Sequence, residues 1–529
     1  MVRSLFKNRY WWIQHDKNEM EGVNFMWTQI KNVNHMETLL CKYPDQKSGV
    51  RQNRVGTSLS AALTSTPTSG SAKASKKKKL QGSEKQAGKQ TGNTDRNSGA
   101  QANPTALTKE EKSEKRLEVK LYNKIEDNFH LANKKALLLN CRNYYEARGE
   151  DVFDNLPVTF HIKNGTDDPE WHRFKAFYEQ AEAELKARKA ERLRKRQEKL
   201  NATLEEDALS PQGSPEKAAD PEGKQPVASG EPEYYRSSAP PKNIWILKPG
   251  ENTNCGNGIQ VAKDFAEIVE IVTEASRGGK RRTCIVQKYI HNPLLIHRRK
   301  FDIRTYALVS SIGGNIKGYQ YDEGYIRTSS YEFDINNLGD RNIHLTNDAI
   351  QKKCADYGKY EPGNKMSYNE FQHYLDKYHG EVSLCFERDL QPQIDKLTAD
   401  VVRAVHGKLD PKRRVNTFEV FGLDFMIDDE FKLYLIEVNT NPCLELSAPL
   451  LARLIPNMLE NAFKLAVDPL FPPPEGYSSK KAFLGDPCPE NHFSLVFDAT
   501  VDGPVIEQLL SARDNVIGKC NIFKSNQIL

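Results

Sequence analysis

The sequence predicts an α+β protein in which antiparallel sheets are flanked by helices, and three observations predict it. Phe418–Pro442 (FEVFGLDFMIDDEFKLYLIEVNTNP) reads as two apolar strands joined by an acidic turn, which pairs them antiparallel. From Ser237 to about Pro474, strand-like and helix-like segments alternate densely. Composition then separates ordered from polar stretches. An apolar fraction of 38% and a mean hydropathy of −0.69 are low for 529 wholly globular residues, so part of the chain is expected to be disordered.

Residues 1–45 carry RYWWIQHD and FMWTQIKN, an aromatic cluster expected to form a small N-terminal α/β module that needs the rest of the protein to pack against. Residues 46–109 turn to Ser, Thr, Gly, Lys and Gln, with the run KASKKKKL, and read as a disordered basic linker. Residues 110–207 form a second module. Apolar spacing from Val119 suits packed helices, FDNLPVTFHI resembles a strand after a turn, and 169–207 read as a long charged helix whose apolar face thins after Leu185. Its basic run KARKAERLRKRQEK is a solvated face by default; the alternative is a groove wall for an acidic peptide. Residues 208–236 are a Pro/Gly/Ser/Glu-rich flexible linker, 237–475 the main body, and 476–529 a tail whose HFSLVFDATV carries no readable motif.

The net charge of +5 permits an acidic protein partner or nucleic acid and demonstrates neither. Nine cysteines are scattered without a CxxC pair or a Cys/His cluster, which fits a reducing compartment and no zinc site. MVRSLFKNRYWW lacks the apolar segment of a secretory leader, and no run of about 18 apolar residues exists. A soluble, intracellular monomer that engages neither membrane nor nucleic acid is expected.

The chemistry begins with Asp424, Glu437 and Asn439, which interrupt otherwise buried runs. With the turn centred on Glu430–Phe431, Asp424 lies opposite Glu437, and Asn439 shares the face of Glu437 because side chains alternate along a strand. A buried carboxylate pair repels itself unless a cation or proton resolves it. Two carboxylates and an amide offer hard oxygen ligands, suited to Mg²⁺ carrying nucleotide phosphates. An edge hairpin with solvated acids is the bland alternative, and the runs VFGLDFMI and LYLIEVN are too apolar for it.

NIWILKPGENTNCGNGIQV starts with a strand, Asn243–Lys248, and continues into a loop with Gly250, Gly256 and Gly258 before a return strand from Ile259. Glycines let backbone N–H groups approach phosphate oxygens, although this loop matches neither the P-loop nor the dinucleotide fingerprint and on its own is equally a hairpin with a long turn. The strand Thr283–Val286 leads into Gln287, Lys288, Tyr289 and Ile290, which offer an amide, a cation and main-chain groups in succession and could form an adenine edge. On Lys300–Val309, Lys300, Asp302 and Arg304 share one face, which is costly when buried unless a ligand or an Asp302–Arg304 salt bridge compensates. Arg327 follows a short strand in YDEGYIRTSS and is suited to a carboxylate. RNIHLTND sets His344, Thr346 and Asn347 before a polar loop; a lone His344 is more often a core histidine than a catalyst.

In chain order, WILKP, IVQKYI, KFDIRTY, YIRTSS, HLTNDAIQK, FGLDFMIDD and LIEVNTNP resemble the tubulin–tyrosine ligase family of ATP-grasp enzymes over Lys242–Pro456, with an echo in NKKALLLN at 133–140. The resemblance implies an ATP-grasp core for 237–475 and ATP with Mg²⁺ as cofactors. It implies that Lys248 and Lys288 grip phosphates, that Gln287, Tyr289 and Ile290 line adenine, and that Lys135 is a further nucleotide lysine. Lys300, Asp302 and Arg304 correspond to the nucleotide and substrate-carboxylate strand and Arg327 to its companion arginine, with Asp424, Glu437 and Asn439 as magnesium ligands. Arg304, Arg327 and Glu437 are thereby the catalytic candidates. The implied reaction adds a free amino acid (tyrosine, glutamate or glycine) to an acidic tubulin tail through an acyl phosphate, in the cytoplasm on the cytoskeleton, cilium or basal body. RTSS, HLTN and YGKYEPGN lean toward tyrosine. The alternatives are an inactive microtubule-binding scaffold and a ligase with a non-tubulin protein acceptor.

Overall fold

Two sheets organise the computed structural model, which describes residues 1–6, 9, 12–14, 23–28, 39, 119–209, 242–250, 256–277, 283–413, 415–472 and 491–525. The linker expected over 46–109, the loop 251–255 and residues 473–490 lie outside the described residues, as does the linker expected over 208–236 except for its first two residues, which continue the long helix Pro169–Leu209. The strands are β1 Phe25–Met26, β2 Leu121–Tyr122, β3 Thr159–Ile162, β4 Trp245–Pro249, β5 Gln260–Ala262, β6 Cys284–Lys288, β7 Leu295–Ile296, β8 Arg299–Ile312, β9 Asn315–Tyr321, β10 Tyr325–Glu332, β11 Lys365–Met366, β12 Asn416–Ile427, β13 Leu433–Thr440 and β14 Phe493–Asp498. The helices are α1 Val2–Phe6, α2 Phe129–Ala132, α3 Lys134–Ala147, α4 Pro169–Leu209, α5 Phe265–Arg277, α6 Arg341–His344, α7 Asp348–Gln351, α8 Tyr368–Tyr378, α9 Gln391–Arg403, α10 Pro449–Ala466 and α11 Gly503–Ser525. The α+β class holds.

The larger sheet is built on β8 and β12, which pair antiparallel from Thr417↔Ser311 to Phe425↔Ile303. β10, β9 and β7 flank β8, and β13 flanks β12. Among the described strands the edge alone departs from antiparallel pairing: β2 runs parallel to both β1 and β12. The apolar spacing from Val119, which predicts helices, thus begins with an edge strand before reaching α2 and α3.

β12 is buried on both faces, which is why its run is apolar without alternation. Phe421, Leu423 and Phe425 enter a core shared with Leu137 and Tyr145 of α3 and Ile394, Leu397 and Val401 of α9. Phe418 and Val420 enter a second core against α10. That helix opens on Pro449, which has no N–H to leave unsatisfied, and turns Leu451, Leu454, Ile455, Met458, Leu459, Ala462 and Phe463 inward at three- and four-residue spacing. The N-terminal aromatics complete this layer. Phe6 packs 5.3 Å from Phe463, Phe25 stacks 6.1 Å from Phe418, and Arg9 pairs with Glu460 and Asp468.

The smaller sheet, in the order β3-β6-β4-β5, is antiparallel throughout. Trp171, Phe174 and Tyr178 of α4 pack on one of its faces with Trp245, Leu247 and Val286. Beyond Leu185 the described side chains of α4 are exposed through Glu198, as the thinning apolar face predicts. No described helix is long and apolar enough to cross a membrane.

Candidate active site

The β12–β13 hairpin is not a straight ladder. Phe425↔Leu435, Met426↔Tyr434 and Ile427↔Leu433 centre it on Glu430, half a residue from the expected centre, yet Asp424 pairs with Glu437. Ile436 is the extra residue, a β-bulge. Without it Ile436 would oppose Asp424, and Glu437 would follow Leu433 and Leu435 into the core. With it, Val438 takes the core position, while Glu437 and Asn439 stay part-exposed on the face of Asp424. Asn439 Nδ2 lies 3.3 Å from Asp424 Oδ2 and 3.2 Å from Glu437 Oε1, so the three groups converge.

Asp424 is also the hub of a buried charge network. Arg304, directly across on β8, forks onto it with Nη2 3.1 Å from Oδ2, and Arg327 Nη2 stands 2.8 Å from the same oxygen. Burial pushes the Asp424 carboxyl up, but the two guanidiniums more than offset this and hold it well below the usual carboxylate range. Gly422 makes room for the network, because a Cβ there would sit 3.3 Å from Arg304 Cζ. Arg327 also forks onto Asp302 at 2.6 and 2.8 Å. The Asp302–Arg304 bridge considered from sequence is thus replaced by two cross-strand pairs. A side chain two positions along its own strand is farther away than one directly across a ladder. Thr346 Oγ1 donates to Asp302, which gives HLTN a place beside the network. The Nη1 groups of Arg304 and Arg327 make no hydrogen bond among the described residues, leaving both a donor for an incoming carboxylate.

Lysines complete the site. Lys248 and Gln287 share one face of the smaller sheet, with Lys248 Nζ donating to Gln287 Oε1 at 2.7 Å and Gln287 Nε2 donating to Thr159 Oγ1 at 2.9 Å. Burial lowers Lys248 to about 8, and Glu437 and Asp424 are close enough to oppose that shift. Burial likewise lowers Lys300 to about 7, opposed by Asp302 and reinforced by Lys248. Lys300 Nζ donates to Tyr289 Oη and the His344 carbonyl. Neither lysine has an ion-pair partner among the described residues.

Two expectations are redirected. Lys288 pairs across from Trp245, on the opposite face to Lys248 and Gln287; its Nζ lies 4.9 Å from the Trp245 ring and donates to Asn243 Oδ1 at 3.0 Å. A strand alternates faces, so adjacent Gln287 and Lys288 cannot both reach one ligand through their side chains. Lys288 N is taken by Val158 O and Tyr289 N by Ile244 O, and Ile290 follows half-buried just past the strand. Lys134 stands at the hairpin, with Nζ 3.7 Å from Glu437 Oε2, one position before the Lys135 that the sequence singled out. Asn133 caps α3 by accepting from the N–H groups of Lys135 and Ala136, which makes Lys134 the first helical residue. The doubled lysine of NKKALLLN was the signal, and the cap sets which way its first member turns.

The donor set fits a hard divalent cation. Asn439's amide nitrogen occupies the gap between two carboxylates, the place a cation would take, and a flipped amide presents its oxygen there instead. Nucleotide phosphates fit too: Lys134, Lys248, Lys300, Arg304 and Arg327 surround Asp302, Asp424 and Glu437, an excess of cations that a polyanion would balance.

The sequence profile of the Tubulin-tyrosine ligase family matches residues 110–475. The chain is 34% identical over 229 residues to "Tubulin glycylase 3D" of Tetrahymena thermophila, covering 43% of this chain and 21% of that protein. It is 36% identical over 231 residues to "Tubulin glycylase 3A" of Drosophila melanogaster, covering 43% and 22%. It is 33% identical over 232 residues to "Protein monoglycylase TTLL8" of Homo sapiens, covering 43% and 26%. The chain therefore spans about a quarter of the length of these relatives or less.

Proposed function

The chain belongs to the tubulin–tyrosine ligase family, and on that premise we propose that it is an ATP-dependent ligase joining glycine to a glutamate side chain of an acidic tubulin tail. The observation that carries this reading is the pair of buried lysines, Lys248 and Lys300, which form no ion pair among the described residues, beside the Asp424–Glu437–Asn439 cluster. Buried cations without an ion pair are costly, and a nucleotide's phosphates would supply one. Glycine replaces the leaning toward tyrosine because the relatives named above are glycylases.

In this reading, transfer of the γ-phosphoryl group to the acceptor carboxylate gives an acyl phosphate and ADP. The amine of glycine attacks the acyl carbon, phosphate leaves, an amide bond forms, and the amine's protons pass to solvent. Mg²⁺, held by Asp424, Glu437 and Asn439, would neutralise phosphate charge. Lys248 and Lys300 do the same from the protein side, and the free Nη1 groups of Arg304 and Arg327 hold a carboxylate. Positioning and charge neutralisation are most of what phosphoryl transfer asks of a protein.

A basic groove supplies the acceptor's docking surface in this proposal. A cavity of about 730 Å³ opens where α4 leaves the smaller sheet, away from the charge network. Six basic side chains (Arg188, Lys189, Arg192, Lys195, Lys242 and Lys263) line it against three acidic ones, Glu182, Glu191 and Asp264. Among the described residues Arg188, Lys189, Arg192 and Lys263 form no ion pair, so the groove complements a glutamate-rich peptide. The work is accordingly placed in the cytoplasm, on microtubules.

The test offers labelled glycine, glutamate and tyrosine in parallel, with ATP and tubulin. Glycine incorporation that requires ATP supports the proposal. No incorporation, together with co-sedimentation on microtubules, would replace it with a scaffold. Labelling of a different protein alone would replace the acceptor.

A further inference from the structure

His344 has no part in the reaction proposed above, yet it ends a hydrogen-bond chain that begins at Lys300. His344 Nε2 lies 2.7 Å from the carbonyl oxygen of Asn337, which can only accept, so Nε2 carries the proton. Nδ1 is then an acceptor, and the Tyr289 hydroxyl 2.8 Å away donates to it. With its proton so committed, Tyr289 Oη turns a lone pair to Lys300 Nζ at 3.1 Å. The His344 carbonyl takes a second ammonium proton at 2.8 Å. Lys300, Tyr289 and His344 are all buried. Every link therefore has one direction, set at the far end by a backbone carbonyl.

An ammonium has three donors. Two are fixed by this chain, one through the side-chain relay and one through the backbone of the same histidine. The third is left for a ligand, beside Asp302 and Lys248. We propose that Tyr289 and His344 are positioning residues that orient the Lys300 ammonium toward an acceptor atom of the bound nucleotide. This rests on the nucleotide reading of the site. The gain comes from preorganisation: without the relay a flexible lysine must be ordered at the moment of binding.

The experiment measures the ATP dissociation constant of the full chain by calorimetry, with thermal melts alongside. Tyr289→Phe keeps the ring and removes only the hydroxyl; it should weaken ATP by about 10-fold, the scale of a hydrogen bond to a charged group. His344→Leu should do the same. His344→Asn, which places an amide oxygen near the Nδ1 position, should restore much of the affinity. The double variant Y289F/H344L should bind no worse than Y289F alone, because the two act through one relay. A structural role would lower the melting temperature without this rescue or this non-additivity. Wild-type affinity in a folded Y289F overturns the relay, and so does equal affinity of H344N and H344L if Y289F fails to fold. A wild-type protein that binds no ATP overturns the nucleotide reading itself, and the inference with it.

Discussion

Glu437 stands opposite Asp424 because Ile436 is looped out of the β13 ladder between Glu437 and the turn. The two carboxylates nevertheless have different surroundings. Asp424 is buried and holds two guanidiniums, whereas Glu437 is part-exposed and among the described residues meets Lys134 and Asn439. Asp424 thus anchors the arginines as well as facing Asn439, while Glu437 is the less constrained of the two carboxylates.

Glu437→Gln is therefore expected to leave the fold near wild type while lowering ATP-dependent incorporation about 100-fold or more, the scale of losing a preorganised transition-state charge. Urea denaturation and labelled-glycine incorporation check it. Retained turnover with an ordinary Mg²⁺ requirement would count against the metal assignment.

Asp424→Asn is expected to cost about 3 kcal/mol or more of stability, since it leaves two buried guanidiniums short of counter-charge. The sign with pH follows from the depressed carboxyl. Its contribution is complete above the unfolded-state value of about 4 and is lost as pH falls below that toward the folded value. Acid titrations followed by circular dichroism should show the wild type losing stability on this limb and D424N lacking that part of the slope.

The lysines set a limb of opposite origin. Lys300 near 7 and Lys248 near 8 lose protons in the folded, ligand-free protein while an unfolded lysine keeps its proton to about 10.4. The unfolded state binds more protons over that window, so stability rises with pH there. Phosphates favour the charged lysines, so ATP binding should take up protons and weaken as pH rises from about 7 to 9. Calorimetry in buffers of different ionisation enthalpy reads this directly. A flat affinity across the range, with no proton uptake, refutes it.

Lys134→Ala is expected to impair ATP-dependent turnover more than Lys135→Ala, because Lys134 is the lysine beside Glu437. Steady-state kinetics of the two variants decide it, and the reverse order would restore the sequence-based choice.

The double charge reversal R188E/R192E is expected to raise KM for tubulin about 10-fold or more, with the effect shrinking as salt is added, and to leave ATP binding unchanged. Both residues are on the exposed stretch of α4, so folding should be unaffected. An unaltered KM at low salt would remove the groove from the acceptor's path.

Much of this was legible in the residues alone. The long charged helix and its thinning face and the β8 and β12 strands follow from periodicity, because burial and side-chain alternation are local properties of a helix or strand, whereas Glu437 reaches the face of Asp424 only through the bulge at Ile436. The order of seven short motifs along the chain identified the family, which the profile match over residues 110–475 bears out.

Partners were decided only in three dimensions. Sequence could weigh Asp302 against Arg304, but cross-strand register gave Arg304 to Asp424 and Arg327 to Asp302. It could not separate Lys134 from Lys135, which an N-cap distinguishes, nor see that Lys288 turns its side chain to Trp245. The physical reason is common to all three: one residue of register, cap or bulge reverses the direction of a side chain, and a charge takes whichever opposite charge then lies across from it.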